Sequence, residues 1–196
     1  MQPAAIGTSC EILLSDPALG EKSRARVEWI NAAAARMAEQ LQTLLFLARG
    51  QALGEIEPVA LAECVAEAVE PCLGEIARKN LALEVDIARD AVLQLNYPAL
   101  RLVVGNLLRN AVRYTEHGYV KVAYGGRRLA VTDSGRGIEA EHLARIFERF
   151  FRAEERADGS GLGLAIVRRI CDQYGWKIAV ESEPGRGSTF SITFPE

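Results

Sequence analysis

Three glycine clusters crowd the last third of the chain: Asp133-Ser-Gly135-Arg-Gly137, Gly159-Ser-Gly161-Leu-Gly163 and Gly185-Arg-Gly187-Ser-Thr189. Each alone reads as a tight turn. The second is set apart because it runs directly into an amphipathic stretch, from about Leu162 to Tyr174, with helical spacing. Backbone N–H groups at a helix start, uncrowded by side chains, form an anion site suited to phosphate. The cluster is not a Walker loop, since it lacks a Gly-Lys-Ser/Thr ending, and it is one residue short of the dinucleotide fingerprint. A chain built around it must therefore place a phosphate-sized anion by another route.

The preceding helix supplies polar groups for such a site. Pro98 opens a pattern from Leu100 to Tyr114 in which Val103, Val104, Leu107, Leu108 and Ala111 would seat the helix on a sheet. Asn106, Asn110 and Arg113 stand at i, i+4 and i+7 on another face, with Tyr114 alongside. Asparagine is a poor helix former, so two of them one turn apart suggest a polar task there, although an amide pair on a solvated face has the same spacing.

The remaining segments give the organisation. Ile6, Cys10 and Leu13 repeat helically up to Ser15-Asp16-Pro17. After Gly20, Val27, Ile30, Ala34, Met37, Leu41, Leu44 and Ala48 make a heptad seam. One seam cannot bury itself, so it must pack on the rest of the chain or on a second copy. Residues 1–50 are thus expected to form a helical hairpin, 51–58 a linker with Gly54 and Pro58 as breakers, and 59–196 a second domain. In that domain Leu61 to Ala77 reads as a helix. Leu81 to Ile87 and Val92 to Leu95 read as strands joined by a short turn, and Gly125-Gly126 as a hairpin turn between Tyr119–Tyr124 and Arg128–Thr132. Two last strands run from Lys177 to Ser182 and Thr189 to Phe194. Helices and antiparallel hairpins without βαβ regularity predict an α+β fold, a two-layer α/β sandwich preceded by an α-helical hairpin.

Composition removes other classes. With 23 Lys+Arg against 26 Asp+Glu there is no basic surplus for nucleic acid, and no apolar run is long enough to span a membrane. No secretory signal is evident at the N-terminus, which points to the cytoplasm. The four cysteines show no CxxC spacing and read as reduced, buried thiols, and two histidines exclude a histidine-rich metal site.

Five stretches carry a resemblance: NLLRNAVRYT (Asn106 to Thr115), DSGRGI (Asp133 to Ile138), IFERFFR (Ile146 to Arg152), GSGLGLAIV (Gly159 to Val167) and GRGSTF (Gly185 to Phe190). In content and order they resemble the N, G1, F, G2 and G3 boxes of the ATP-binding domain of bacterial sensor histidine kinases, within the gyrase, chaperone, kinase and mismatch-repair ATPase superfamily. The resemblance implies ATP and Mg²⁺ as cofactors. Asp133 would accept from the adenine amino group, with Gly135, Gly137 and Ile138 beside the ring and Thr189 sharing a water with that carboxylate. Asn110 would be the Mg²⁺ ligand, and Arg113 and Tyr114 would hold phosphate or ribose oxygens. Gly159, Ser160, Gly161, Leu162, Gly163 and Leu164 would form the phosphate-side lid, its leucines turned to the core, with Phe147, Phe150 and Phe151 as apolar anchors.

Asn106 stands where hydrolytic relatives carry a water-activating glutamate, so the resemblance implies transfer to a protein acceptor. The hairpin resembles the dimerisation and histidine-phosphotransfer region, which implies a homodimer and a response-regulator partner, with no nucleic acid and no membrane contact by this chain. In that family the acceptor histidine precedes a proline in the first helix. If Pro3 is that proline, the histidine would fall before Met1, and His117 and His142 lack the context. The chain is then expected not to phosphorylate itself, and an inner-membrane anchor in the intact protein stays open. The segment Arg152 to Asp158 is short for a lid of this family, leaving Arg152 and Arg156 as the cations that would reach phosphates. The competing reading is a nucleotide-binding module that docks a partner without catalysis. An anti-sigma-type serine kinase would share the boxes but lack the hairpin.

Overall fold

The computed structural model describes residues 3–16, 18–31, 33–34, 37, 55–151 and 161–195. Contacts divide the chain into two compact units, Met1–Gln51 and Ala52–Glu196. In the first, α1 (Pro3–Leu14) is followed by α2, helical over 21–31 and at 33, 34 and 37. The Arg24 guanidinium donates to Leu14 O at 2.9 Å and Asp16 O at 3.2 Å, satisfying carbonyls at the exit of α1. Within this unit Cys10, Val27 and Ala34 are buried, whereas Ile30 is 46% and Met37 52% exposed. The seam thus has one covered edge and one uncovered edge. Leu41, Leu44 and Ala48 lie outside the described residues.

The second unit has the expected α+β two-layer form. Its sheet has the order β2–β4–β5–β7–β6, from β2 (Ala82–Asp86), β4 (Tyr119–Gly125), β5 (Arg128–Asp133), β6 (Lys177–Glu183) and β7 (Gly187–Thr193). Within this sheet only β2 and β4 run parallel. The helical layer comprises α3 (Leu61–Val69), α4 (Leu73–Lys79), α5 (Tyr97–Tyr114), the short α6 (Ala140–Leu143) and α7 (Gly163–Tyr174). Leu100, Leu107 and Leu108 of α5 are almost wholly buried, each stabilising the fold by about 1.5–3 kcal/mol. All four cysteines are free and buried, and burial pushes the thiols of Cys64 and Cys171 up to about 12.

Four local expectations need correction. The strand over 81–87 does not pair with its neighbour at 92–95. β2 joins the main sheet, setting Leu83 opposite Val120, while β3 (Val92–Leu95) pairs antiparallel with β1 (Glu57–Ala60). β1 feeds α3 and β3 feeds α5, and those helices pack together, so their leading strands meet. Glu57 and Pro58, read as linker, accordingly belong to β1, a short strand where proline is tolerated. The helix expected over 61–77 is interrupted by a 3₁₀ turn at Glu70–Cys72, where Pro71 lacks the N–H needed to continue. The hairpin turn lies one residue later than Gly125-Gly126: Gly125 still pairs with Arg128, and Gly126 and Arg127 both take positive φ, as a type I′ turn requires.

α5 is secured at both ends. The Asn96 side chain caps its start by accepting from Ala99 N at 2.9 Å. At its exit the Lys79 ammonium donates to Val112 O, Arg113 O and Thr115 O at 2.9–3.1 Å. A cation there satisfies orphan carbonyls and opposes the helix dipole. Lys79→Met should therefore destabilise the domain by about 1–3 kcal/mol, read as a lower urea midpoint with an unchanged slope.

Candidate functional site

The last strand residue of β5, Asp133, is an acid that is only 6% exposed. Its Oδ1 accepts from Gly135 N at 2.9 Å, and the Ser188 backbone N–H also donates to the carboxylate. Burial raises its pKa above the usual 3.8, and the two N–H donors only partly offset this. A buried acid held in this way retains acceptor capacity for one more donor.

Asp133 opens onto a cavity of about 360 Å³. Asn110 and Tyr114, one turn apart near the end of α5, form one side. The segment Arg136 to Glu139 forms a second, with His142, Ile146, Phe151 and Leu164 beyond it, and Ser188 and Phe190 of β7 close the sheet side. The loop after β5 is stitched down at several points. Arg136 N donates to Tyr114 O at 3.2 Å, Gly185 N donates to Arg136 O at 2.7 Å, and Ile138 N donates to Ser182 Oγ at 2.9 Å. Gly137 has φ +70°, and a Cβ there would stand 2.1 Å from Glu183 O, so no side chain fits.

Of the residues singled out from sequence, Asn110, Tyr114, Asp133, Gly137, Ile138 and Leu164 come together on this wall. Gly135 lies behind it, packed against the Tyr114 carbonyl. Asn106 does not line the cavity: it is 2% exposed, and its Nδ2 donates to Leu102 O at 2.8 Å. Its Oδ1 would lie 2.8 Å from a Cβ on Gly163, so Asn106 sits under the start of α7. Arg113, Gly161, Leu162 and Gly163 also fall off the wall. Gly159, Ser160, Arg152 and Arg156 lie outside the described residues. The aromatic anchors divide: Phe151 lines the cavity, while Phe150 is 69% exposed and meets the glycine cluster through its backbone, its N–H donating to Gly161 O at 2.9 Å.

Thr189 requires correction. Asp133 pairs with Ser188 and Thr132 with Thr189. Directly opposed residues share a sheet face, and successive residues alternate faces. Thr189 therefore points away from Asp133, with its hydroxyl 3.1 Å from Thr132 Oγ1. The hydroxyl on the Asp133 face belongs to Ser188. The signal was present in the sequence, because Ser188 shares its phase with Phe190 and Ile192. Arg136, Glu139 and His142 were also missed; nothing local distinguishes them from solvated charges.

The donor set fits a nucleotide with Mg²⁺. Among the described residues no group of three or more His, Cys, Asp or Glu could hold a metal ion. Asn110 offers one neutral amide oxygen, which suits an ion that keeps water and phosphate ligands and takes few from protein.

Known proteins resemble this chain in sequence and in fold. Residues 96–196 match the family described as histidine kinase-, DNA gyrase B-, and HSP90-like ATPase. The phosphate regulon sensor protein PhoR of Pseudomonas aeruginosa is 34% identical over 173 residues, covering 82% of this chain and 39% of its own length. Sensor protein IrlS of Burkholderia pseudomallei is 33% identical over 202 residues, covering 94% of this chain and 42% of its own. The chain thus spans about two fifths of these curated relatives. The catalytic domain of histidine kinase ThkA superposes with a TM-score of 0.63 at 27% identity, over 72% of this chain and 96% of that one. Full-length ShkA, solved with AMPPNP, shares the fold with a TM-score of 0.70 at 24% identity, over 98% of this chain and 45% of its own.

Proposed function

Because this chain belongs to the histidine kinase-, DNA gyrase B- and HSP90-like ATPases, and within them to the ATP-binding core of bacterial sensor histidine kinases, we propose that it directs the γ-phosphoryl group of ATP to a histidine on a dimerisation hairpin, for relay to a response-regulator aspartate. The observation that carries this reading is the convergence of a buried acceptor, Asp133, with Asn110 and Tyr114 around one cavity.

In this reading the Asp133 carboxylate takes a hydrogen bond from the adenine amino group. Ser188 replaces Thr189 as the hydroxyl beside it. Tyr114 faces the ribose, and Asn110 holds Mg²⁺ through its amide oxygen. The ion, when bound, neutralises phosphate charge, and the reaction otherwise asks for positioning. α7 begins at Gly163 directly after the second glycine cluster, and the positive end of a helix dipole favours phosphate as its neighbour. Asn106 is an amide buried against Leu102 and Gly163, unable to take a proton from water, which supports transfer over hydrolysis. We assign Arg113 no contact on the wall. The uncovered edge of the α2 seam, Ile30 and Met37, supports a second copy as its cover.

Incubation with γ-labelled ATP tests the function. The chain alone is expected to remain unlabelled, and a separately supplied hairpin fragment bearing an acceptor histidine is expected to gain label. Asn110→Ala should lower that transfer at least about 100-fold. Steady phosphate release with no labelled fragment would replace the kinase reading with a hydrolytic one.

Asp133 also sets a pH dependence. Its folded-state pKa is raised, so its contribution to folding is fully present below the unfolded value and is lost as pH rises through the folded one. Nucleotide acts oppositely, because a base amino donor favours the ionised carboxylate. Affinity should therefore fall as pH drops through the raised pKa, with proton uptake by free protein and proton release on binding. Calorimetry in two buffers of different ionisation heat checks this, and a flat profile would contradict it.

A further inference from the structure

We infer that Arg136 is a positioning residue of this site, its guanidinium stacked on Tyr114 so as to fix the ring that meets the base and ribose end of the nucleotide. The inference rests on the nucleotide reading above and extends it to a residue that reading does not use.

The guanidinium carbon of Arg136 lies 4.7 Å from the centroid of the Tyr114 ring, and both residues line the cavity. The backbone of Arg136 is fixed on both sides, its N–H on Tyr114 O and its carbonyl on Gly185 N. Next to it, a Cβ on Gly135 would stand 2.3 Å from Tyr114 O, so the loop already touches α5 there. Asp133, the loop and the last residue of α5 thereby form one connected wall. Arginine suits this place because its flat, permanently charged fork lies against a ring face, whereas lysine would offer a point charge. The ring cannot swing freely while the guanidinium covers it. Orienting Tyr114 before nucleotide arrives removes an ordering cost from binding. Arg136 follows Asp133 by three residues, so the effect belongs at the base end of the ligand and not at its terminal phosphate.

The test compares Kd for ATP, ADP and adenosine in the wild-type chain, Arg136→Met, Tyr114→Leu and the double variant. Arg136→Met should weaken all three ligands by the same factor, about two- to five-fold. The double variant should bind no more weakly than Tyr114→Leu alone, and Arg136→Lys should fall between wild type and Arg136→Met. A loss that grows with phosphate number and fades in salt would make Arg136 a direct phosphate contact and overturn the inference, as would additive losses. A ligand-free readout stands beside these: the side-chain protons of Arg136 should show a ring-current shift in NMR that disappears in Tyr114→Leu, and its absence would also overturn the stack. If the wild type bound none of the three ligands while that shift was intact, the nucleotide reading would fall and take this role with it. Additive losses in a chain that binds normally would remove only the role of Arg136.

Discussion

Asp133→Ala should weaken ATP binding by about 10–100-fold, the usual cost of losing a hydrogen bond to a charged, desolvated acceptor together with the order it imposes. The same change should leave the fold intact or slightly more stable, because an acid whose pKa is raised by burial is costly to keep ionised. Those opposite signs make the experiment informative. Calorimetry would read the loss of affinity, and a urea titration would read the stability. A variant that lost both would mark Asp133 as a structural residue, and one that kept its affinity would remove the base-binding role. Asp133→Asn refines the result: it keeps the shape but replaces one acceptor oxygen with a donor, so it should bind adenine nucleotides nearly as poorly as the alanine variant.

The largest stability effect is expected at Gly137→Ala. The new Cβ would stand 2.1 Å from the carbonyl oxygen of Glu183, at a residue with φ +70°. Backbone cannot yield there without pulling the loop after β5 off the β6–β7 turn, so a loss of about 3–5 kcal/mol is expected. Gly185→Ala is the control. Its φ of +76° carries similar strain, but no atom lies within 4 Å of the added carbon. That variant should lose only about 1–2 kcal/mol. Equal losses would mean that dihedral strain, not collision, sets the cost. Chemical denaturation of the two variants side by side separates these cases.

What the sequence made legible was local. Asn110 and Tyr114 sit one helical turn apart because residues at i and i+4 share a face in any α-helix. The glycines around Asp133 announce a chain that must pass close to other backbone. Long-range pairing was hidden: no spacing within 82–95 reveals that β2 meets β4 and β3 meets β1, since partners are chosen by helices packed elsewhere. The exchange of Thr189 for Ser188 lies between these cases. The two-residue period was readable from Phe190 and Ile192, but the face that held Asp133 depended on the β5–β7 register. His142, which lacks an acceptor context in the sequence, stands on the cavity wall, brought there by a fold-level path. Its ring centroid lies 5.6 Å from that of Phe151.

Lys79 carries one last consequence. The matched family region begins at residue 96, so an expression fragment trimmed to that boundary would discard the ammonium that closes the helix bearing Asn110 and Tyr114. It would also strip α3 from the apolar flank of that helix and remove the β1–β3 pair. Minimal fragments chosen by homology alone would then precipitate or lose affinity for reasons unrelated to the pocket. A mutational scan scored on ATP binding would surface a lysine that lies off the cavity wall.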